Sequence, residues 1–325
     1  MNGYGRYWHG YEIALRPLLM VFNYQEIRCF NFFLLSILII CCTLVFYRTC
    51  GVWTSALFCL ALALCKLPLI PLSIQFMNMY ILTMLAIIAL GLWILPQNAK
   101  YIIDRNNDNI YVYAFVLGSL TVFFDLLTTP LLPIGLSVLY LVVYMYKRFS
   151  YVVSWKFLRN VFFLWGIACV LTWLVKWLFN SFVLNENMLL QAYQQILLRI
   201  SNPIELNDGT VMEASYIIAL TVNLLMLRLP FSSTLFLFMI GSLLVLVVIG
   251  RIAIPNCNTN REYLRRLLLL ALLPCVWYVV IKNHSQIHYW YTYRSLIVTI
   301  LSLGFYVEHL VEWSKINLLL KGKNK

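Results

Sequence analysis

The sequence predicts an all-α fold, a polytopic bundle of transmembrane helices with interfacial helices on the external side. Three observations carry this. Of 325 residues, 62% are hydrophobic and only 11% charged, with a mean hydropathy of +0.83. A soluble domain of this length cannot hide so much apolar surface, so lipid must be the solvent. Apolar runs of near-spanning length recur along the chain, and basic residues fall between them with a strong bias to alternate gaps.

The runs lie at about 29–46, 52–72, 79–95, 111–128, 131–146, 161–179, 234–250, 267–281 and 295–311, which makes nine expected spans. With nine spans, 15 Lys and Arg fall on one side and seven on the other, with Lys66 and Lys176 inside spans. The positive-inside rule makes the richer side cytoplasmic. Five regions follow: an external interfacial segment 1–28, six spans in 29–180, an external loop 181–233, three spans in 234–314 and a cytoplasmic basic tail 315–325. The expected place is a cell membrane, multi-pass, with the N-terminal segment external. Such an external start leads us to expect an entry span upstream of residue 1. The net charge of +12 belongs to membrane sidedness rather than to nucleic acid. The cysteines lie mostly in or beside apolar runs without metal-type spacing, as small hydrophobes do.

The least lipid-like stretches share the external side. In "RYWHGYEIALRPLL", Ile13, Leu15, Leu18 and Leu19 make an apolar stripe bent at Pro17, the pattern of an interfacial helix. Tyr7, Trp8, His9 and Arg16 there are candidates to meet a sugar face and an anionic headgroup; an aromatic belt with a snorkelling Arg is the plainer alternative. Residues 187–200 read as an amphipathic helix, and 214–230 as an interfacial or re-entrant one. Asp125 falls inside an apolar run, which marks it as a partner, relay or base. Its alternatives are a cap before Pro130 and Pro133, or an ion pair with Lys66 or Lys176. In "NHSQIHYWYTYR", His284, His288 and Tyr291 recur at helical spacing with Arg294 on the adjoining edge. Arg presents a planar fork to phosphate, and a protonated His adds a donor. No third ligand accompanies the two histidines, so neither a metal nor a cofactor is expected.

With "RYWHGYEIALRPLL", "FFDLLTTP" and "NHSQIHYWYTYR" in view, the chain resembles a group of bacterial polytopic membrane proteins similar to the GT-C class of integral-membrane glycosyltransferases. The resemblance implies transfer of a sugar from a polyprenyl-phosphate carrier on the external face, in assembly of an envelope polysaccharide or glycolipid. It implies His284, His288 and Arg294 as holders of the lipid phosphate, while the acidic residues that the class carries in its first external loop are absent here. The catalytic acid is therefore expected upstream, with Asp125 the candidate within this chain. The expected partners are membrane lipids and the polyprenyl-phosphate-linked sugar, with no nucleic acid. A glycolipid transporter or flippase, or a non-catalytic scaffold of such a pathway, is the alternative.

Overall fold

The computed structural model describes residue 5 and residues 7–95, 108–200, 204–205, 211–253 and 260–312. Lys100 and Arg105, two of the 15 Lys and Arg counted on the richer side, and the tail 315–325 lie outside the described residues. The described residues are largely helical. Their helices are α1 (Glu12–Val21), α2 (Tyr24–Cys50), α3 (Val52–Leu64), α4 (Met77–Ala89), α5 (Asp108–Phe124), α6 (Leu131–Phe149), α7 (Trp155–Leu184) and α8 (Met188–Ile200). There follow α9 (Tyr216–Leu225), α10 (Ser233–Ala253), α11 (Arg261–Val280), α12 (Lys282–Ile287), α13 (Tyr289–Thr292) and α14 (Ile297–Leu310). A two-residue antiparallel pair joins Ile204–Glu205 to Val211–Met212.

Among the described residues six helices are long and apolar enough to cross a membrane: Tyr24–Cys50, Met77–Ile94, Leu131–Phe149, Trp155–Leu184, Ser233–Ile252 and Arg261–Val280. Local chemistry sets their ends. Asn23 caps α2, its side chain accepting from the backbone N–H of Gln25 and Glu26 while Glu26 accepts in return from the N–H of Asn23. Ser154 and Asn260 cap α7 and α11, their side chains accepting from the backbone N–H of Phe157 and Glu262. At 27 residues, α2 measures about 40 Å, ample for a bilayer core.

Helix α6 is the hub. Every residue from Leu131 to Met145 is buried, so no face of it meets the surroundings. Its few polar groups find partners. The Tyr140 hydroxyl donates to Thr49 Oγ1, and Ser137 Oγ lies 2.6 Å from the Tyr113 hydroxyl. By contrast, none of the described side chains of α10 is buried. A helix apolar all round and unburied would be ruinous in water and is natural in lipid. Helices α5 and α7 pack closely at Gly118, where a Cβ would come within 2.3 Å of the Trp165 carbonyl oxygen. Small residues at such crossings let helix backbones approach without a side chain between them.

Two expected spans are interrupted. The run 52–72 leaves the α-helix after Leu64. Lys66 is left-handed (φ 53°), and Leu67–Leu72, carrying Pro68 and Pro71, continues as a 3-10 helix. Proline removes the donors that an α-helix needs. The run 111–128 stops at Phe124, because Asp125 diverts the backbone into a turn.

Contacts sort the helix ends into two sets. Lys147 near the end of α6 pairs with Glu308 near the end of α14 at 2.6 Å and donates to Thr54 at the start of α3. Tyr146 stacks on Tyr263 at the start of α11, and Arg266 donates to the Val153 carbonyl just before α7. Arg148, Lys156, Arg159, Arg261 and Arg265 lie near these residues in sequence. At the opposite end gather the N-terminal segment, the 125–130 turn, the end of α8, α9 and the stretch 282–296. One residue from each of the three stretches expected on one side, Tyr7, Arg199 and His284, is joined to the others through Arg199 by hydrogen bonds.

Candidate functional site

At that end the stretch 283–292 forms a polar knot rather than a free loop. Asn283, His284, Ser285, Gln286 and Thr292 are all buried. Asn283, His284, Gln286 and Thr292 are engaged through their side chains and Ser285 through its carbonyl, while Ser285 Oγ is buried without a partner. The Asn283 amide donates to the Leu198 carbonyl at the end of α8. Gln286 accepts from the Ser215 N–H and donates to the Glu213 carbonyl. Asn223 on α9 donates to the Ser285 carbonyl and accepts from the Thr292 hydroxyl at 2.6 Å. Asn223 thus serves as a tie between segments, and α9 is a short helix tucked against the knot. Buried polar groups in an apolar setting demand such partners.

His284 is the centre. Its Nδ1 lies 2.6 Å from Arg199 Nη1, and its Nε2 lies 2.8 Å from the Leu127 carbonyl oxygen. Arginine has only donors and a carbonyl only accepts, so Nδ1 must accept and Nε2 must carry the proton. The imidazole is neutral. Burial, then the Arg199 charge and neighbouring His288, push it from the ordinary 6.5 down to about 3, against a smaller upward pull from the bond to Leu127. His288 is lowered too, by burial first and by Arg199 second. Its ring lies 4.7 Å from that of His284 and stacks on Tyr291 at 5.2 Å. The helix expected to carry these residues breaks at His288 (φ −105°, ψ 29°), yet all three rings still meet.

Asp125 occupies the supporting layer. Its Oδ1 accepts from the backbone N–H of Thr128 at 2.9 Å and from the Thr128 hydroxyl at 2.5 Å. That is the capping alternative; neither Lys66 nor Lys176 forms an ion pair with it among the described residues. The turn it closes holds Leu127 left-handed (φ 64°) and aims the Leu127 carbonyl at His284. Asp125 Oδ2 is buried without a hydrogen-bond partner.

Arg199 also donates from Nη2 to the Tyr7 hydroxyl at 2.8 Å. The guanidinium is therefore held on two sides, and among the described residues it pairs with no carboxylate. It borders a cavity of about 80 Å³ lined by Tyr7, Leu127, Trp173, Trp177, Ala192, Gln195, Ile196 and Arg199. The Trp173 and Trp177 rings lie parallel, 6.1 Å apart, as residues four apart on α7 allow. The Trp8 indole N–H donates to the Thr172 carbonyl, and Lys176 Nζ sits 4.9 Å from the Trp8 ring. Gly10 lets the segment lie flat on the end of α5. Its N–H donates to the Phe123 carbonyl, and a Cβ would come within 2.5 Å of the Phe123 ring.

The sequence candidates thus divide. Tyr7, His284, His288 and Tyr291 come together, and Asp125 lies behind them. Trp8 lies against α7, and His9 packs edge-on against Tyr7 and Tyr11. Arg16 points away, largely exposed and paired with Glu12 one turn earlier. Arg294 also leaves the group, its Nη1 donating to the Trp290 carbonyl and its guanidinium lying over Tyr293. Arg199, Trp173, Trp177 and Gln195 escaped the sequence reading. Arg199 registered there as one external charge among seven, and the tryptophans as part of an apolar run. Among the described residues no group of three His, Cys, Asp or Glu is placed to hold a metal ion. Compared with family models, curated proteins and solved structures, the chain has no match.

Proposed function

We propose that this chain binds a polyprenyl-phosphate-linked sugar at the external face of a nine-span bundle, in the manner of an integral-membrane glycosyltransferase of envelope polysaccharide or glycolipid assembly. One observation carries the reading: a guanidinium held by a neutral imidazole and a phenol, lacking a carboxylate partner among the described residues, beside a cavity walled by two parallel tryptophans. An arginine fixed in this way is preorganised for a phosphate oxygen pair, and flat indole faces suit a pyranose ring. The charge bias between bundle ends supports the external assignment.

In the transfer, an acceptor hydroxyl attacks the anomeric carbon and loses its proton to a base, while the sugar–phosphate C–O bond breaks. The lipid phosphate leaves with the electron pair, and Arg199 stabilises the charge that develops there. Asp125, Leu127 and His284 act as positioning residues, each fixing the next. None of the eight residues lining the cavity is acidic. That favours a second reading, in which the chain binds the lipid-linked sugar for transport or for a partner enzyme.

The test is polyprenyl-phosphate binding to the purified full chain in nanodiscs. Arg199→Ala should weaken binding by about 2 kcal/mol, roughly 30-fold, and Arg199→Lys should not restore it. Equal binding by all three proteins overturns the proposal. Release of sugar from a polyprenyl-phosphate-linked donor supports the transferase; transbilayer passage of intact donor without release supports the transporter.

A further inference from the structure

A pair of cations, Lys66 and Arg294, lies apart from the Arg199 cavity and shares no residue with its lining. Lys66 Nζ sits 5.3 Å from the centroid of the Tyr293 ring, and the Arg294 guanidinium carbon 4.8 Å from the same centroid. Three separate segments build the spot. The Tyr293 hydroxyl donates to the Cys65 carbonyl at 3.1 Å, Lys66 Nζ donates to the Met226 carbonyl at 2.8 Å, and Arg294 Nη1 donates to the Trp290 carbonyl at 3.1 Å. Both cations are only half-buried, yet Arg294 Nε is a buried donor with no partner. Among the described residues neither cation forms an ion pair.

Two like charges against one ring repel, and ordering long side chains costs entropy. An arrangement of this kind is stabilised when an anion completes it. The surroundings say which kind. Leu69 and Leu72 follow Lys66 in the 3-10 segment, and Trp290 precedes Arg294; all three are exposed by half or nearly so. A cationic pair flanked by exposed apolar side chains, at an end of a lipid-embedded bundle, matches a headgroup phosphate with its acyl chains alongside. A freely dissolved anion would gain nothing from those flanks.

We propose that Lys66 and Arg294 form a binding site for the phosphate of an anionic bilayer lipid, distinct from the Arg199 cavity. Lys66 supplies a compact charge and Arg294 a directional fork, a division suited to a phosphodiester.

The experiment uses the full chain in nanodiscs of phosphatidylcholine mixed with phosphatidylglycerol, and native mass spectrometry counts the lipids retained. The wild type should retain phosphatidylglycerol preferentially. Lys66→Gln with Arg294→Gln should reduce that preference roughly tenfold, the effect of losing charge-assisted hydrogen bonds at a half-exposed site. Lys66→Arg, which keeps the charge and a donor for Met226, should preserve it, and so should Arg199→Ala. Undiminished preference in the double variant overturns the proposal. Loss in Lys66→Arg would assign the effect to packing, and loss in Arg199→Ala would assign it to the cavity; either also overturns it. Inorganic phosphate is added in a separate arm. Displacement of the phospholipid by millimolar phosphate would make the ligand a free anion and refute the lipid assignment.

Discussion

His284 offers a direct probe of how the Arg199 site is held. Its imidazole is neutral in the fold, pushed down to about 3 from an ordinary 6.5 by burial and by Arg199. A base whose folded value is depressed contributes stability that is fully present above its unfolded value. That stability is lost as pH falls, because the unfolded chain takes up the proton first. Each unit is worth about 1.4 kcal/mol, so acidification to about pH 5 should remove about 2 kcal/mol through His284 alone. Within the fold the imidazole stays neutral across that window, so Nδ1 goes on accepting from Arg199, and lipid-phosphate affinity should not fall through His284 until the pH nears 3. In His284→Gln, the amide keeps one donor for Leu127 and one acceptor for Arg199 but takes up no proton. Unfolding of purified protein is followed by near-ultraviolet circular dichroism from about pH 8 to about pH 5 for both proteins. The wild type should lose stability with the stated slope, and the variant should be flatter by about 2 kcal/mol across the window, with His288 leaving a shallower residue in both. Superimposable pH profiles would refute the neutral, buried imidazole and with it the orientation of Arg199.

Asp125→Ala leaves the buried Thr128 N–H and hydroxyl without their acceptor, so it should destabilise by about 2–4 kcal/mol. Thermal unfolding with polyprenyl-phosphate binding tests whether the loss reaches Arg199; unchanged stability would remove Asp125 from the supporting layer. For sidedness, single cysteines at the exposed positions Asn187 and Ser150 are labelled in intact cells with an impermeant thiol reagent. Asn187→Cys should react and Ser150→Cys should not; the reverse pattern inverts the orientation.

Much of the bundle was written in one dimension. Lipid removes the option of unpaired backbone, so a long apolar run has to become a helix, and composition alone fixed the all-α character. Segment breaks were also legible in principle, since Pro68, Pro71 and Asp125 interrupt helices for local reasons. The amphipathic pattern of "RYWHGYEIALRPLL" and of 187–200 pointed to helices there, and the structure has α1 at Glu12–Val21 and α8 at Met188–Ile200. The site was only half legible. His284, His288 and Tyr291 announced themselves because polar rings are costly near lipid, and their spacing survived a break in the helix. Their roles depended on contacts across long separations, 85 residues between Arg199 and His284 and 192 between Tyr7 and Arg199. Local chemistry holds no record of such pairings. For the same reason Arg294, beside the histidines in sequence, went to Lys66, while Arg199 took the place that proximity along the chain had given to Arg294. Residue type decided which groups needed partners; packing of the helices decided which partners they found.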